Sequence, residues 1–172
     1  MVVFGFQEAT AVAALGAFVF VQLSDNMMKS TGKKMRYYKT HQPSWAPPAY
    51  VFPIVWTILY CALTLGAFYF LQNTVPDSWQ YIVGFIMFMI HVIANKLWSV
   101  TFWNLQNPTG ALGIIVGVLI PTALVWLIVS IVGQIDLYYV NVIVLAVMFC
   151  WLVYAAALNG YYTRITPLKH HV

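Results

Sequence analysis

Apolar residues run through this chain in long unbroken stretches, each parted from the next by a polar interval. A helix needs about 20 mostly apolar residues to cross a hydrocarbon core. Five stretches meet that length, at 5–23, 48–71, 79–103, 110–132 and 137–162. Strands of a membrane barrel would be about ten residues long with alternating polarity, and these runs neither stop so early nor alternate. The pattern predicts an all-α integral membrane protein, one domain over 1–172, folded as a bundle of five transmembrane helices. The interval 24–46 is the long one, and it carries Tyr37, Tyr38 and Trp45 among its charges. It reads either as a lid over one end of the bundle or as a basic loop lying on anionic headgroups.

Composition sharpens this picture. The chain is 62% hydrophobic and 7% charged, whereas a soluble domain carries about 25% charged residues. So few charges cannot cover a water-facing surface, and the bilayer is the implied solvent. The net charge is +4, but its placement matters more than its size. Lys29, Lys33, Lys34, Arg36 and Lys39 follow the first span, and Arg164 and Lys169 follow the fifth. An odd number of spans puts those two segments on one side, with Glu8, Asp77 and Asp136 on the other. That is the positive-inside arrangement, and it argues against nucleic-acid binding. Glu8 ahead of the first run also marks it as a retained helix, since a signal peptide would open on basic residues.

Polar groups inside the spans narrow the function. His91, Asn95, Trp98 and Phe102 fall at i, i+4, i+7 and i+11, on one helical face. Such a face cannot point into lipid without cost, so it looks inward, either as a pocket wall or as polar glue between helices. Trp151, Ala155, Asn159 and Tyr162 repeat the theme on helix five, and Phe52, Trp56 and Tyr60 on helix two. Together the stripes enclose a flat apolar ligand or fill a core. Lys96 points about 100° off the Asn95 stripe, free to snorkel to the basic side or to meet an acid of a partner. Pro53 is expected to bend helix two. Ala9, Ala13 and Ala17, with Gly16, form a small-residue stripe suited to close helix packing. Cys61 and Cys150 read as buried thiols acting as small hydrophobes. The ligand spacing for zinc, a paired carboxylate site and a phosphate-binding glycine loop are all missing from the sequence. No metal or required cofactor is implied, and the reading leans away from an enzyme.

Three segments carry a family resemblance. Pro43-Ser44-Trp45-Ala46-Pro47-Pro48, followed by Trp56-Thr57-Ile58-Leu59-Tyr60, resembles the signature of the translocator protein family, the tryptophan-rich sensory proteins or TspO/MBR proteins. Asn95-Lys96-Leu97-Trp98, then Phe102 and Gln106, is similar to that family's third helix. Trp151-Leu152-Val153-Tyr154-Ala155 through Leu158-Asn159 is similar to its fifth. The resemblance spans residues 43–164 and implies a five-helix bundle, often a homodimer. Its implied ligands are porphyrins, sterols or other lipids, held by Phe52, Trp56, Asn95, Trp98, Trp151, Ala155 and Leu158. It also implies a sterol contact at Leu158, Tyr161 and Arg164. In a porphyrin-degrading relative, Trp56 and Trp151 would match the reactive tryptophans. Lys96, Gly110 and Ile114 stand where the family pattern has Trp, Trp and Asp.

The leading expectation is therefore a binder of hydrophobic ligands. The alternative is an accessory subunit of a larger membrane complex, such as a respiratory assembly, meeting its partner at Lys96. A mitochondrial membrane is favoured over a bacterial inner membrane.

Overall fold

The computed structural model describes residues 10–17, 41–48, 50–132 and 138–165. Helix α1 is described over 10–17. The rest of the first expected span lies outside the described residues, as do most of the basic loop and Lys169. Helix α2 is Val51–Asn73. Helix α3 is Trp79–Ser99, prolonged by a π-helical turn over Val100–Asn104. Helix α4 opens as Pro108–Ile114, widens to a π-helix over Ile115–Leu119 and closes as Ile120–Val132. Helix α5 is Tyr138–Ile165. Four of these, α2 to α5, are long and apolar enough to cross a membrane. The protein is thus an all-helical, multi-pass membrane protein.

Local chemistry sets the helix ends. The turn before α2 is closed by the Val51 N–H on the Pro48 carbonyl at 2.9 Å. Pro53 then falls in the first turn, where no intrahelical partner is lost, and α2 runs on without a break. Helix α4 is where a proline coincides with a change of helix type. Pro121 sits in its interior, without an N–H and with its ring crowding the carbonyl four residues back, at Gly117. The π-helical turn over Ile115–Leu119 just before it relieves that clash. Between α2 and α3, Asp77 takes a left-handed φ of 65°, and the Ser78 hydroxyl accepts from the Tyr81 N–H at 3.2 Å. Gln106, with φ 52°, turns the chain out of α3 in the same way. Asn107 then caps α4, its side-chain oxygen accepting from the Gly110 N–H at 2.8 Å, with Pro108 in the first turn. Asn107→Ala is expected to cost about 1 kcal/mol through the lost cap, read as a lower Tm in detergent or nanodiscs.

Close approach between helices depends on small residues. A β-carbon at Gly84 of α3 would collide with Cε1 and Cζ of the Phe70 ring from α2. A β-carbon at Gly66 of α2 would come within 2.6 Å of Oδ1 of Asn141 from α5. Trp126 of α4 meets Phe70 edge-on at 6.4 Å and Phe88 of α3 at 5.7 Å. These contacts form the core at the end of the bundle near Asp77.

The outer surface is as apolar as the core, with Ile58, Leu65 and Ile143 more than 60% exposed. Two sequence expectations fail for this reason. Cys61 and Cys150 are free and exposed, facing outward as small hydrophobes and not inward. On α1 the buried face is Thr10, Ala11 and Ala14, while Ala13 and Gly16 are exposed. Lipid and core accept the same side chains, so hydrophobicity alone cannot assign the inner face.

Candidate functional site

At the end of the bundle where α2 begins and α3 and α5 finish, aromatic rings from three helices meet. Four-residue spacing stacks Trp56 on Tyr60 along α2, with ring centroids 5.6 Å apart. Across the gap, Trp56 meets Trp98 of α3 at 5.5 Å and Trp151 of α5 at 6.1 Å. Trp98 lies nearly parallel to Phe102 at 5.8 Å, and Phe52 leans on Trp151 at 5.7 Å. Phe102 also meets Tyr162 of α5 edge-on at 5.7 Å. From the incoming chain, Trp45 stands against Tyr154 at 5.8 Å and Tyr161 at 6.3 Å. The end of the long loop therefore packs on α5 beside the aromatic chamber. The loop's other residues, and the choice between lid and surface segment, lie outside the described residues.

The chamber is nearly shut. Phe52, Trp56, Trp98, Phe102, Trp103, Ala155, Leu158 and Asn159 surround a cavity of ≈ 10 Å³. That is room for about one water molecule. Side-chain rings form most of its boundary, so rotations can enlarge it without moving the backbone.

Polar groups mark its wall and floor. The Trp98 indole N–H points to Oδ1 of Asn159 at 3.4 Å, and the Asn159 amide donates to the Ala155 carbonyl at 2.8 Å. Nδ2 of Asn95 and Nε1 of Trp151 are buried donors with no hydrogen-bond partner among the described residues. Asn95 is one turn below Trp98 on the inner face of α3.

Five of the expected ligand residues line the space: Phe52, Trp56, Trp98, Ala155 and Leu158. Trp151 backs the wall through Phe52 and Trp56, and Asn95 lies beneath it. The three expected sterol residues differ in exposure. Leu158 is buried in the chamber wall, Tyr161 is half-buried against Trp45, and Arg164 is exposed. Lys96 is half-buried and is not among the lining residues. Trp103 is the lining residue that the helical pattern does not indicate. In an α-helix it would point about 100° away from Phe102. The wider π-turn separates consecutive side chains by less, so both rings reach the space, 4.9 Å apart.

The model of the TspO/MBR family matches residues 9–164. This chain belongs to that family. It is 30% identical to the Tryptophan-rich protein TspO of Chlorobaculum tepidum over 140 residues, covering 76% of this chain and 80% of that protein. It is 25% identical to Protein CrtK of Rhodobacter capsulatus, over 76% of this chain and 78% of the relative. A Tryptophan-rich sensory protein of Cereibacter sphaeroides is 29% identical over 46% of this chain.

Within the TspO/MBR fold, two departures have local reasons. A β-carbon at Gly110 would come within 2.7 Å of the Asn107 amide nitrogen, so the cap of α4 occupies the space a side chain would need. Ile114 packs against the apolar core, where a carboxylate would be desolvated.

Proposed function

We propose that this TspO/MBR protein binds a flat hydrophobic molecule of the porphyrin or sterol class in the aromatic chamber. The observation that supports it is the pairing of aromatic walls with the buried donors of Asn95 and Trp151, which have no hydrogen-bond partner among the described residues. Rings offer stacking at about 0.5–1.5 kcal/mol per pair. Donors held out of water select a ligand with an acceptor oxygen, such as a carboxylate, carbonyl or hydroxyl. Binding requires the rings of Trp56, Trp98 and Phe102 to turn aside, because the closed chamber holds so little space. The three bacterial relatives favour a bacterial membrane over the mitochondrial one expected from the sequence.

The test is titration of the purified protein in nanodiscs with protoporphyrin while reading tryptophan emission. Saturable quenching is expected. Asn95→Leu is expected to weaken binding about 3–10-fold, the loss of one buried hydrogen bond. A monodisperse protein that shows no saturable quenching overturns the reading. Illumination in air of the same sample tests for porphyrin breakdown through Trp56 and Trp151.

The nearly filled chamber favours a second reading, in which the bundle is an accessory subunit of a larger membrane assembly and Lys96 meets a partner acid or a lipid headgroup. Gentle solubilisation distinguishes the two. Stoichiometric migration with a large complex, without a porphyrin response, supports the subunit. A monomer or homodimer that binds protoporphyrin supports the receptor.

A further inference from the structure

The chamber as it stands is too small for the ligand proposed above. Pockets for small molecules run to about 300 Å³ or more, and this one measures ≈ 10 Å³. Rings must move to admit a ligand, and the lining rings are not held alike. Trp56 touches Tyr60, Trp98 and Trp151. Trp98 is 6% exposed, lies between Trp56 and Phe102, and points its N–H to Asn159. Both pack into the main core. Trp103 is placed differently. It is half-buried and packs on a small separate cluster around Leu158 and Tyr162.

Trp103 also stands at the end of a row of rings. Trp56 meets Trp98 at 5.5 Å, Trp98 stacks on Phe102 at 5.8 Å, and Phe102 meets Trp103 edge-on at 4.9 Å. Room for the inner rings to turn comes from the end of that row. The π-turn puts Trp103 there. The Leu105 N–H donates to the Val100 carbonyl at 3.0 Å, and this wide turn aims two consecutive side chains at one space. Single π-turns of this kind recur at functional sites. The ring also has somewhere to go. Helix α3 ends here, and Trp side chains settle well at a membrane interface.

We propose that the Trp103 side chain is a built-in plug: it occupies part of the volume that the ligand takes, and it leaves for the interface when the ligand enters. Trp103 therefore sets how large a flat molecule the chamber admits. The inference rests on the ligand-binding reading, and it carries a sign that a wall residue does not. Truncating a wall ring removes a contact and weakens binding. Truncating the plug raises the fraction of chambers ready for ligand, and apparent affinity rises with that fraction.

The experiment compares the parent protein and Trp103→Ala in nanodiscs, with protoporphyrin binding followed by stopped-flow tryptophan quenching. Trp103→Ala is expected to bind about 3–10-fold more tightly, through faster association, the worth of one aromatic pair. Unchanged or weaker binding by Trp103→Ala overturns the proposal. Where Trp103→Ala does not fold, Trp103→Leu is expected to shift affinity in the same direction by less, and the same results overturn it. A second readout needs no porphyrin. Ala155→Cys is introduced into the chamber wall, with Cys61→Ala and Cys150→Ala removing the exposed thiols. Its reaction with methyl methanethiosulfonate is expected to be faster when Trp103→Ala is added. Equal rates overturn the plug. A faster reaction without a porphyrin response in either protein supports the plug and overturns the porphyrin reading.

Discussion

Gly84→Val is expected to cause a large loss of stability. A β-carbon at that position collides with the edge of the Phe70 ring, at Cε1 and Cζ. Phe70 cannot swing away freely, because it is 1% exposed and meets Trp126 edge-on at 6.4 Å. The remaining way out is to push α3 from α2, which loosens contacts along both helices. Overpacking of this kind costs about 1–3 kcal/mol and sometimes more. The expected readout is a sharp fall in monodisperse yield and in Tm. Shrinking the obstacle should reverse it, so Gly84→Val combined with Phe70→Leu is expected to recover much of the lost Tm. A single Gly84→Val variant with the parent's Tm would show that the two helices do not approach closely here.

Trp98→Ala is expected to cost at least as much and to damage stability and binding together. Trp98 is 6% exposed, joins Trp56 to Phe102 and points its N–H at Asn159. Truncating a buried Trp costs about 3–5 kcal/mol in water-soluble cores. In a bilayer the lost packing and the opened cavity count more than transfer from water, since the surroundings are apolar in either case. The cost therefore falls toward the lower end, with Oδ1 of Asn159 deprived of its donor as well. Trp98→Phe keeps a ring between Trp56 and Phe102 and is expected to retain most of the stability. Thermal unfolding of both variants, with protoporphyrin titration of whichever folds, checks this. Equal Tm values for Trp98→Ala and Trp98→Phe would mean that the ring carries no packing role.

The family match over 9–164 and the four long helices α2 to α5 agree with what the sequence pattern and its motifs indicated. The site was legible in part, and for a physical reason. His91, Asn95 and Trp98 share a helical face, and polar groups in a membrane must turn inward. That requirement predicted their burial without any knowledge of neighbours. Phe52, Trp56, Ala155 and Leu158 followed through the family motifs and do meet in space. Trp103 was not legible, because its position depends on a π-turn that helical periodicity does not encode. The partner of His91 was equally hidden. Thr122 is one of many threonines in apolar runs until α3 and α4 are packed together.

By itself, the sequence determined the membrane class, the four spans α2 to α5 and the polar face of α3. Each follows from one-dimensional constraints: a span must be long and apolar enough for the bilayer, and its polar groups must avoid lipid. Only the tertiary structure decided that Cys61 and Cys150 face outward and that Thr10, Ala11 and Ala14 form the inner side of α1. It also decided that the aromatic chamber is closed to about the size of one water. Between lipid and core there is no difference in polarity for the sequence to record. Inside and outside are told apart by shape, and shape exists only once the helices have packed.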